Sequence, residues 1–317
     1  MSDLLVLAPL TEHMRALLDA DFTLHHVSDM ADPQLWLDKN GAGIRYVLTD
    51  GHLGLPAAYL NTLPALELIS SNGVGYDAID TDAVVERGVL VTHTPDVLNE
   101  EVASTALLLY LSCYRNWEAQ MAQARTGRWQ TEGELPLAQS ADGRTVGILG
   151  LGRIGMAIAR KLEAFGCTIC YTARARKDVG YAFYDDLVKL AHSVDALICV
   201  IPGGAATRHM VNAEVIAALG PQGVLINVGR GSVVDEAALV VALQEGHLGW
   251  AGLDVFENEP HIPHALRAHP RAILTPHIGS ATVETRAAMG QLAAENLLLH
   301  KRSGRVKSPV PECASLL

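Results

Sequence analysis

Short apolar runs alternate with helix-like stretches through the first hundred residues of the chain. Four of these runs predict β-strands: Leu4–Ala8, Tyr46–Thr49, Glu67–Ser70 and Val89–Thr92. Between them, Pro56 suits the first turn of one helix, and Asp80 suits the N-cap of another helix that stops at Gly88. Alternation of this kind predicts a parallel sheet covered by helices.

The stretch Asn99–Gly127 has a helical composition throughout. It is rich in Ala, Leu, Glu and Gln and has neither Pro nor Gly before Gly127, so it predicts one long helix at the end of the first domain. The segment Thr131–Asp142 contains Gly, Pro and Ser and predicts a surface loop.

A second alternating block follows this loop. Six apolar runs predict its strands: Thr145–Leu149, Thr168–Tyr171, Ala196–Val200, Val224–Val228, Trp250–Leu253 and Ile273–Leu274. A last helix, about Val283–His300, is expected to return the chain to the first domain. The pattern predicts two doubly wound α/β domains with parallel sheets, one of residues 1–98 and 285–317 and one of residues 99–284.

Composition and charge narrow the classes of function. Of the 317 residues, 49% are apolar and 19% are charged, which favours large buried cores over disorder. The net charge of −11 repels polyphosphates, so nucleic acid is a poor partner. No segment approaches the roughly 20 apolar residues of a membrane span, and the apolar start lacks the flanks of a signal peptide. We expect a soluble cytoplasmic protein.

The cysteines form an odd set, spread over apolar patterns: Cys113, Cys167, Cys170, Cys199 and Cys313. Cys167 and Cys170 have C-x-x-C spacing, but no second Cys or His pair nearby completes a tetrahedral metal site. We therefore expect buried free thiols in a reducing compartment and no metal ion.

One glycine-rich turn has the setting of a dinucleotide site. The strand Thr145–Leu149 runs into the sequence Gly150-Leu151-Gly152-Arg153-Ile154-Gly155 and then into a helix. Gly150 permits the tight turn, Gly152 lets the backbone approach a pyrophosphate, and Gly155 lets helix and strand pack closely. The N–H groups at the start of the helix then face the phosphates.

The end of the next strand indicates which nicotinamide cofactor binds. An NAD site places Asp or Glu about 20 residues beyond the glycines, to bind the ribose 2′-hydroxyl. Here Ala173 stands near that position, followed by Arg174, Arg176 and Lys177. Arg174, with Arg176 in support, can pair with the 2′-phosphate that a carboxylate would repel. This favours NADP(H), with NAD(H) as a possible second cofactor; the alternative is a solvated charged loop.

Three late strands each end in polar residues that packing does not explain. Arg230 follows the first of them, Asp254 ends the second and leads to Glu259, and His277 follows the third. Since ligands bind at the carboxyl ends of strands in an open parallel sheet, these groups should converge beside the cofactor. Reduction of a ketone needs hydride at carbon and a proton at oxygen.

The chemistry of these three side chains is complementary. His277 is suited to donate the proton, and Glu259 would favour the imidazolium and fix the ring. Arg230 presents a planar fork that matches the carboxylate of a 2-keto acid. A histidine in a Pro-His-Ile-Gly turn is more often structural than catalytic, but three matched roles on three strand ends favour catalysis.

These motifs resemble those of the D-isomer-specific 2-hydroxyacid dehydrogenases over most of the chain. The resemblance is carried by Gly150–Gly155, Asn227–Glu236, Gly252–Pro260 and Thr275–Ser280. It implies a Rossmann cofactor domain inserted into a flavodoxin-like substrate-binding domain. It also implies that Arg230, Glu259 and His277 are the catalytic triad.

The resemblance extends to binding residues. It implies that Asp254 holds the nicotinamide carboxamide and that Gly279 belongs to the cofactor site. It also implies that Ile201 and Pro202 lie along the adenosine side of the cofactor. In the first domain, the loop Asn72–Asp77 is similar to the family's substrate loop. The expected substrate contacts there are the N–H groups of Val74 and Gly75, together with Leu53.

Within the family, the chain is most similar to the NADP-dependent glyoxylate/hydroxypyruvate reductases. The supporting residues are Thr49–Gly51, Thr94–Leu98 and the pair Ala173-Arg174. This similarity implies reduction of a small 2-keto acid to the D-2-hydroxy acid. The family also implies a homodimer built around the helix Asn99–Gly127, with Trp129 expected to reach the partner's active site.

Three other functions stay open at this point. An aromatic 2-keto acid reductase, such as a hydroxyphenylpyruvate reductase, would differ in the volume of the pocket around His52–Gly54 and Trp129. D-3-phosphoglycerate oxidation would need a phosphate-binding cation in the first domain, and Arg45 is not obviously placed for this. A corepressor-like NAD(H)-sensing protein would need a docking surface and often disordered tails, for which the chain has little spare length.

Overall fold

The computed structural model describes residues 2–317, which form two compact units. One unit comprises the chain up to Leu98 together with Thr282–Leu317, and the other is Asn99–Ala281. Each unit contains a parallel β-sheet with helices between its strands, so the predicted α/β class is confirmed.

The first unit has five strands. They are β1 (Ser2–Val6), β2 (Phe22–His26), β3 (Tyr46–Thr49), β4 (Leu68–Ser71) and β5 (Leu90–Thr92). Its helices are α1 (Glu12–Leu18), α2 (Pro33–Asn40), α3 (Ala57–Asn61), α4 (Thr81–Glu86) and, from the end of the chain, α13 (Val283–Ser303), with 3₁₀ turns at Val27–Asp29, Gly41–Gly43 and Pro311–Leu316. The strands pair in parallel in the order β2-β1-β3-β4-β5.

Helix α13 packs closely on α1 in this unit. Thr11 caps α1 by accepting the N–H of Met14 at 3.2 Å. A Cβ on Gly290 of α13 would lie only 2.7 Å from the sulfur of Met14. A larger residue would therefore displace the Met14 side chain or move the two helices apart, and α13 is an integral part of the unit's core.

The segment after α13 continues the hydrogen bonding of the sheet at β5. Val310 donates its N–H to the carbonyl oxygen of Val91 at 3.0 Å. The fully buried Asn296 of α13 holds the segment in place, accepting from the N–H of Lys307 at 2.8 Å and donating to the hydroxyl of Ser308 at 2.9 Å. Thus β5 is covered by the chain's own last residues.

The second unit has seven strands. They are β6 (Thr145–Leu149), β7 (Thr168–Thr172), β8 (Ala182–Phe183), β9 (Ala196–Cys199), β10 (Val224–Asn227), β11 (Trp250–Leu253) and β12 (Ala272–Leu274). Its helices are α5 (Asn99–Arg115), α6 (Trp117–Thr126), α7 (Arg128–Glu132), α8 (Arg153–Glu163), α9 (Leu187–His192), α10 (Ala213–Leu219), α11 (Glu236–Gln244) and α12 (His264–Arg267), with a 3₁₀ turn at Gly231–Val233.

These strands pair in parallel in the order β12-β11-β10-β9-β6-β7-β8. The chain order reverses between β6 and β9, which makes this pair the switch point where a doubly wound sheet binds its ligand. Helix α5 packs against the sheet, since a Cβ on Gly252 of β11 would lie 3.2 Å from the sulfur of Cys113.

Two strands and one helix break differ from the sequence prediction. Strands β2 and β8 were not predicted: β2 buries only Phe22 fully and β8 is two residues long, because both lie at sheet edges and need no continuous apolar run. The predicted single helix Asn99–Gly127 is wrong. It breaks at Asn116, whose φ of +48° lies in the left-handed region that Asn tolerates better than most residues.

Two further expectations concern the predicted loop and the thiols. The start of the predicted loop Thr131–Asp142 is helical, because α7 extends to Glu132. All five cysteines are buried free thiols, as predicted, and burial raises the pKa of Cys113 and of Cys199.

Among the helices of residues 2–317, none is long and apolar enough to cross a membrane.

Candidate active site

The glycine turn after β6 leaves room for a ligand at one of its three glycines. Gly150 has a φ of +102°, and a Cβ there would lie 2.5 Å from the side chain of Ile201. A Cβ on Gly155 would lie 2.2 Å from the carbonyl oxygen of Gly150. A Cβ on Gly152 would meet no atom of residues 2–317 within 4 Å. The turn is therefore closed on the protein side and open at Gly152, as close approach of a pyrophosphate requires.

The predicted cofactor residues Arg153 and Ile154 form the start of α8. Gly152 is the N-cap of this helix and, in the described chain, provides no side-chain cap for its first N–H groups. Arg153 is exposed and Ile154 is half-buried. A helix start of this kind favours negative charge, so it suits the phosphates of a dinucleotide.

The cationic loop lies beside this turn. The N–H of Gly150 donates to the carbonyl oxygen of Thr172, the last residue of β7, at 2.9 Å. Arg174 and Arg176 follow within four residues and are both exposed. Ala173 occupies the place where an NAD site has its acid, so cations are the charged groups next to the strand end. This fits a cofactor with a 2′-phosphate.

His277 and Glu259 are directly hydrogen-bonded. Nδ1 of His277 lies 2.8 Å from Oε2 of Glu259, with the two side chains 26% and 21% exposed. The other carboxylate oxygen of Glu259 accepts the N–H of Phe256 at 2.9 Å. Because Glu259 accepts the hydrogen on Nδ1, Nε2 is the ring nitrogen that can face a substrate.

Asp254 holds the turn that carries His277. Its Oδ1 accepts from the Thr275 hydroxyl at 2.7 Å and from the N–H of Ile278 at 2.8 Å, and its Oδ2 accepts from the N–H of Gly279 at 2.8 Å. The turn places His277 at a φ of +53°. Burial raises the pKa of Asp254, and the three donors act against that rise. The predicted cofactor residues Asp254 and Gly279 are thus bonded to each other.

Arg230 stands in a turn held by Asn227, whose side-chain amide donates to the Arg230 carbonyl oxygen at 2.9 Å. The next residue, Gly231, has no room for a side chain: a Cβ would lie 1.9 Å from the carbonyl carbon of Phe256. The turn therefore packs directly on the segment that leads to Glu259. The strand ends after β10 and β11 are neighbours, as the sheet order requires.

Ile201 and Pro202 lie between the cofactor turn and the Arg230 turn. Ile201 blocks any side chain at Gly150, and a Cβ on Gly229 would lie 2.7 Å from the Ile201 carbonyl oxygen. The glycine turn, the segment after β9 and the Arg230 turn are therefore in contact along one edge of the sheet. This arrangement brings the glycine turn, Ile201 and the Arg230 turn together at the switch point between β6 and β9.

The predicted substrate residues Val74, Gly75 and Leu53 belong to the first unit. Val74 and Gly75 are half-buried in the loop after β4, where Nδ1 of His93 donates to the Val74 carbonyl oxygen at 3.0 Å. Leu53 is 49% exposed. Their substrate-binding roles stay predictions.

Sequence reasoning missed Glu236 as a support of the site. This buried residue accepts the N–H of Glu257 at 2.8 Å, and its own N–H donates to the Glu257 carboxylate at 3.3 Å. The exchange fixes the segment between Asp254 and Glu259. In the sequence, Glu236 ends the motif Asn227–Glu236, but by itself it resembles an ordinary acid in the first turn of a helix, so its contact with Glu257 was not predicted.

Comparison with known proteins identifies the family of this chain. The family model for the NAD binding domain of the D-isomer specific 2-hydroxyacid dehydrogenases matches residues 107–279. Glyoxylate/hydroxypyruvate reductase A of Arabidopsis thaliana is 42% identical over 307 residues, which cover 96% of this chain and 98% of that protein. The chain belongs to the D-isomer specific 2-hydroxyacid dehydrogenase family. The resemblance inferred from the motifs is confirmed.

Two further relatives show how this D-2-hydroxyacid dehydrogenase compares within the family. The solved NADPH-dependent glyoxylate/hydroxypyruvate reductase of Sinorhizobium meliloti, in complex with NADP and malonate, has 45% identity and a TM-score of 0.93, covering 98% of this chain and 97% of its own. Hydroxyphenylpyruvate reductase of Plectranthus scutellarioides is 42% identical over 307 residues, 96% of this chain and 98% of that protein.

Proposed function

We propose that this D-2-hydroxyacid dehydrogenase uses NADPH to reduce glyoxylate and hydroxypyruvate to the D-2-hydroxy acids. The observation that carries the proposal is the His277–Glu259 pair at 2.8 Å, at the edge of the sheet where the glycine turn is open for a dinucleotide. The likeness to the Sinorhizobium and Arabidopsis reductases supports the choice of substrate.

In this mechanism His277 holds a proton on Nε2 and transfers it to the carbonyl oxygen of the keto acid. Glu259 accepts the hydrogen on Nδ1, fixes the tautomer, and stabilises the positive ring before transfer. Arg230 orients the substrate carboxylate and stabilises charge that develops on the carbonyl oxygen. NADPH, when bound, supplies the hydride for the carbonyl carbon.

Three parts of the chain would hold the cofactor. Gly152 and the first turn of α8 would bind the pyrophosphate, and Arg174 with Arg176 would bind the 2′-phosphate. Asp254 would hold the nicotinamide carboxamide through Oδ2, the carboxylate oxygen that accepts the Gly279 N–H at 2.8 Å. In the first unit, the N–H groups of Val74 and Gly75 are proposed to bind the substrate carboxylate, with Leu53 as a further contact.

Initial rates of NADPH and NADH oxidation with glyoxylate, hydroxypyruvate, phenylpyruvate and pyruvate test the proposal. We expect the highest kcat/KM with NADPH and the two small polar keto acids. Arg174→Ala should raise the KM for NADPH roughly 10-fold or more, because it removes a charge-assisted contact, and leave the KM for NADH unchanged. Equal efficiency with both nucleotides in the wild type would contradict the cofactor assignment.

A second candidate substrate is an aromatic 2-keto acid. The identity to the Plectranthus hydroxyphenylpyruvate reductase equals that to the Arabidopsis glyoxylate/hydroxypyruvate reductase, at 42%. The same residues would carry out the same chemistry on a larger substrate. A higher kcat/KM for phenylpyruvate than for hydroxypyruvate in the rate series would favour this candidate.

We also propose a homodimer. Four apolar side chains of the second unit that line one cavity of about 740 Å³ are strongly exposed: Leu108, Trp117, Trp129 and Leu137. An exposed apolar surface of this kind is typical of an interface. We propose that a second copy covers it and that Trp129 reaches the partner's active site.

A cytoplasmic location is proposed on chemical grounds. The five buried free thiols suit a reducing compartment. Fractionation of cells that produce the protein, with activity measured in each fraction, tests this location.

A further inference from the structure

Tyr171 bonds the backbone of the loop that carries Arg174 and Arg176. It is the second-last residue of β7 and is fully buried. Its hydroxyl accepts the N–H of Lys177 at 2.7 Å and donates to the carbonyl oxygen of Lys177 at 3.3 Å. The N–H and the carbonyl oxygen of Lys177 are therefore both hydrogen-bonded to the same buried side chain.

The position of this hydroxyl is set by the sheet. The ring of Tyr171 packs on that of Phe183 in β8, with 5.3 Å between the ring centroids. The carbonyl oxygen of Tyr171 accepts the N–H of Tyr184 at 2.9 Å, and its Cα is in register with Ile148 of β6. The sheet therefore holds Tyr171 in place, and the two hydrogen bonds from its hydroxyl order the loop.

The two bonds close a short segment that contains both cations. Arg174 and Arg176 lie between the end of β7 and Lys177, and their side chains are exposed. A loop that is free before binding loses backbone and side-chain entropy when it closes on a ligand. Holding the backbone beforehand removes part of that loss, so the hydroxyl should strengthen binding of whatever the two arginines contact.

We propose that Tyr171 is a positioning residue for cofactor selection: its hydroxyl fixes the Lys177 backbone and so pre-orders Arg174 and Arg176 for the 2′-phosphate of NADPH. This inference rests on the proposed function, in which Arg174 binds that phosphate. NADH has no 2′-phosphate, so its binding should not depend on the hydroxyl. Tyr171 thus acts on the preference for one nucleotide over the other.

The direct test is binding of 2′,5′-ADP and of 5′-AMP to the full chain, measured by calorimetry. Tyr171→Phe keeps the ring and removes the hydroxyl. It should weaken 2′,5′-ADP about three- to tenfold, as expected for one or two net hydrogen bonds, and leave 5′-AMP unchanged. Equal weakening of both ligands, or of neither, would overturn the proposal.

Tyr110→Phe is the matched control. Tyr110 is also fully buried in the same unit, and its hydroxyl donates to the carbonyl oxygen of Ala141 at 2.5 Å, with Cys167 near the start of β7 at 3.5 Å. It removes a comparable buried hydroxyl near the opposite end of that strand. Its affinities for 2′,5′-ADP and 5′-AMP should both match the wild type.

Limited trypsin digestion reports loop order without any ligand. Arg174, Arg176 and Lys177 are three cleavage sites within the loop. Tyr171→Phe should speed cleavage at these sites relative to the wild type and to Tyr110→Phe, because a released loop enters the protease more often. An unchanged cleavage rate would show that the hydroxyl does not order the loop, against the proposal.

Arginine variants separate the two hypotheses. If Arg174→Ala leaves 2′,5′-ADP binding unchanged, the cofactor assignment fails and the role of Tyr171 fails with it. If Arg174→Ala weakens that binding and Tyr171→Phe does not, only the positioning role fails. In the Arg174→Ala/Arg176→Ala background, adding Tyr171→Phe should cause no further loss; a full additional loss would overturn the proposal.

Discussion

At the scale of single residues, the surroundings of His277 give its two ring nitrogens different roles. Nδ1 is bonded to Glu259, whose other oxygen is held by the backbone N–H of Phe256. The backbone of His277 is held in turn, since its N–H donates to the Asp254 carbonyl oxygen at 2.9 Å. Because the backbone and Nδ1 are both held, the ring can present Nε2 in one direction, which is what a proton donor needs.

Loss of either member of this pair should slow the reaction without changing cofactor affinity. His277→Asn should lower kcat for hydroxypyruvate reduction by roughly 10²- to 10⁴-fold, the usual contribution of a general acid. Glu259→Gln should lower it less, because Gln keeps the shape and one acceptor but removes the charge. The Kd for NADPH, from fluorescence titration, should match the wild type in both variants.

A double variant and a control variant sharpen this test. His277→Asn/Glu259→Gln should be no slower than His277→Asn, since Glu259 acts through the histidine. A further drop in kcat would contradict that dependence. His25→Asn is the control: Nε2 of His25 lies 2.8 Å from Oδ1 of Asp3, a His–carboxylate pair in the first unit, and breaking it should leave kcat near the wild type.

At the scale of elements, apolar runs were enough to predict the buried strands and failed at the sheet edges. Strand β2 and strand β8 bury too little to leave a continuous apolar run. The break at Asn116 depends on the backbone conformation of one residue, which periodicity does not encode.

The same contrast holds for the candidate site. Glycines and polar residues that follow strands are visible as spacings, so the cofactor turn and the strand-end groups could be predicted. Glu236 and Tyr171 bind backbone groups of other segments. Any residue type offers those backbone groups, so the partners leave no mark in the sequence. The order of strands in the sheet decides which segments of the chain lie next to each other.

Two glycines in the turn between β6 and α8 should respond differently to substitution by alanine. Gly155→Ala places a methyl group 2.2 Å from the Gly150 carbonyl oxygen, so α8 must shift, and the free energy of unfolding should fall by about 1–3 kcal/mol. The methyl group of Gly152→Ala enters open space, and the φ of −86° at this position is one that alanine adopts without strain. Stability should therefore be unchanged. Both variants should weaken NADPH binding.

Urea unfolding and NADPH fluorescence titration distinguish the two glycines. Gly155→Ala should lower both stability and affinity, whereas Gly152→Ala should lower affinity alone because its methyl group occupies the ligand's place. Tight NADPH binding by Gly152→Ala would mean that the pyrophosphate does not approach the turn there. Unchanged stability of Gly155→Ala would mean that α8 tolerates a longer distance from the strand.

At the scale of the whole molecule, polar and apolar surfaces are unevenly distributed. The chain carries a net charge of −11, yet the second unit exposes large apolar side chains around one cavity. Trp129 is 63% exposed and Leu137 is 96% exposed. Exposed side chains of this size are costly in water when they cluster, and a second copy of the chain would remove them from it.

Leu137→Asp should therefore convert the proposed dimer to a monomer. Sedimentation equilibrium should give twice the 33.9 kDa of one chain for the wild type and a value near one chain for the variant, because a buried charge without a partner opposes association. Val283→Asp is the matched control: Val283 is 84% exposed in the first unit, so it should leave the mass unchanged.

Trp129→Ala should keep the dimer and alter the ratio of kcat/KM for phenylpyruvate and hydroxypyruvate. A monomeric wild type at micromolar concentration would contradict the assembly, and an unaltered ratio would contradict the role of Trp129 in the partner's site.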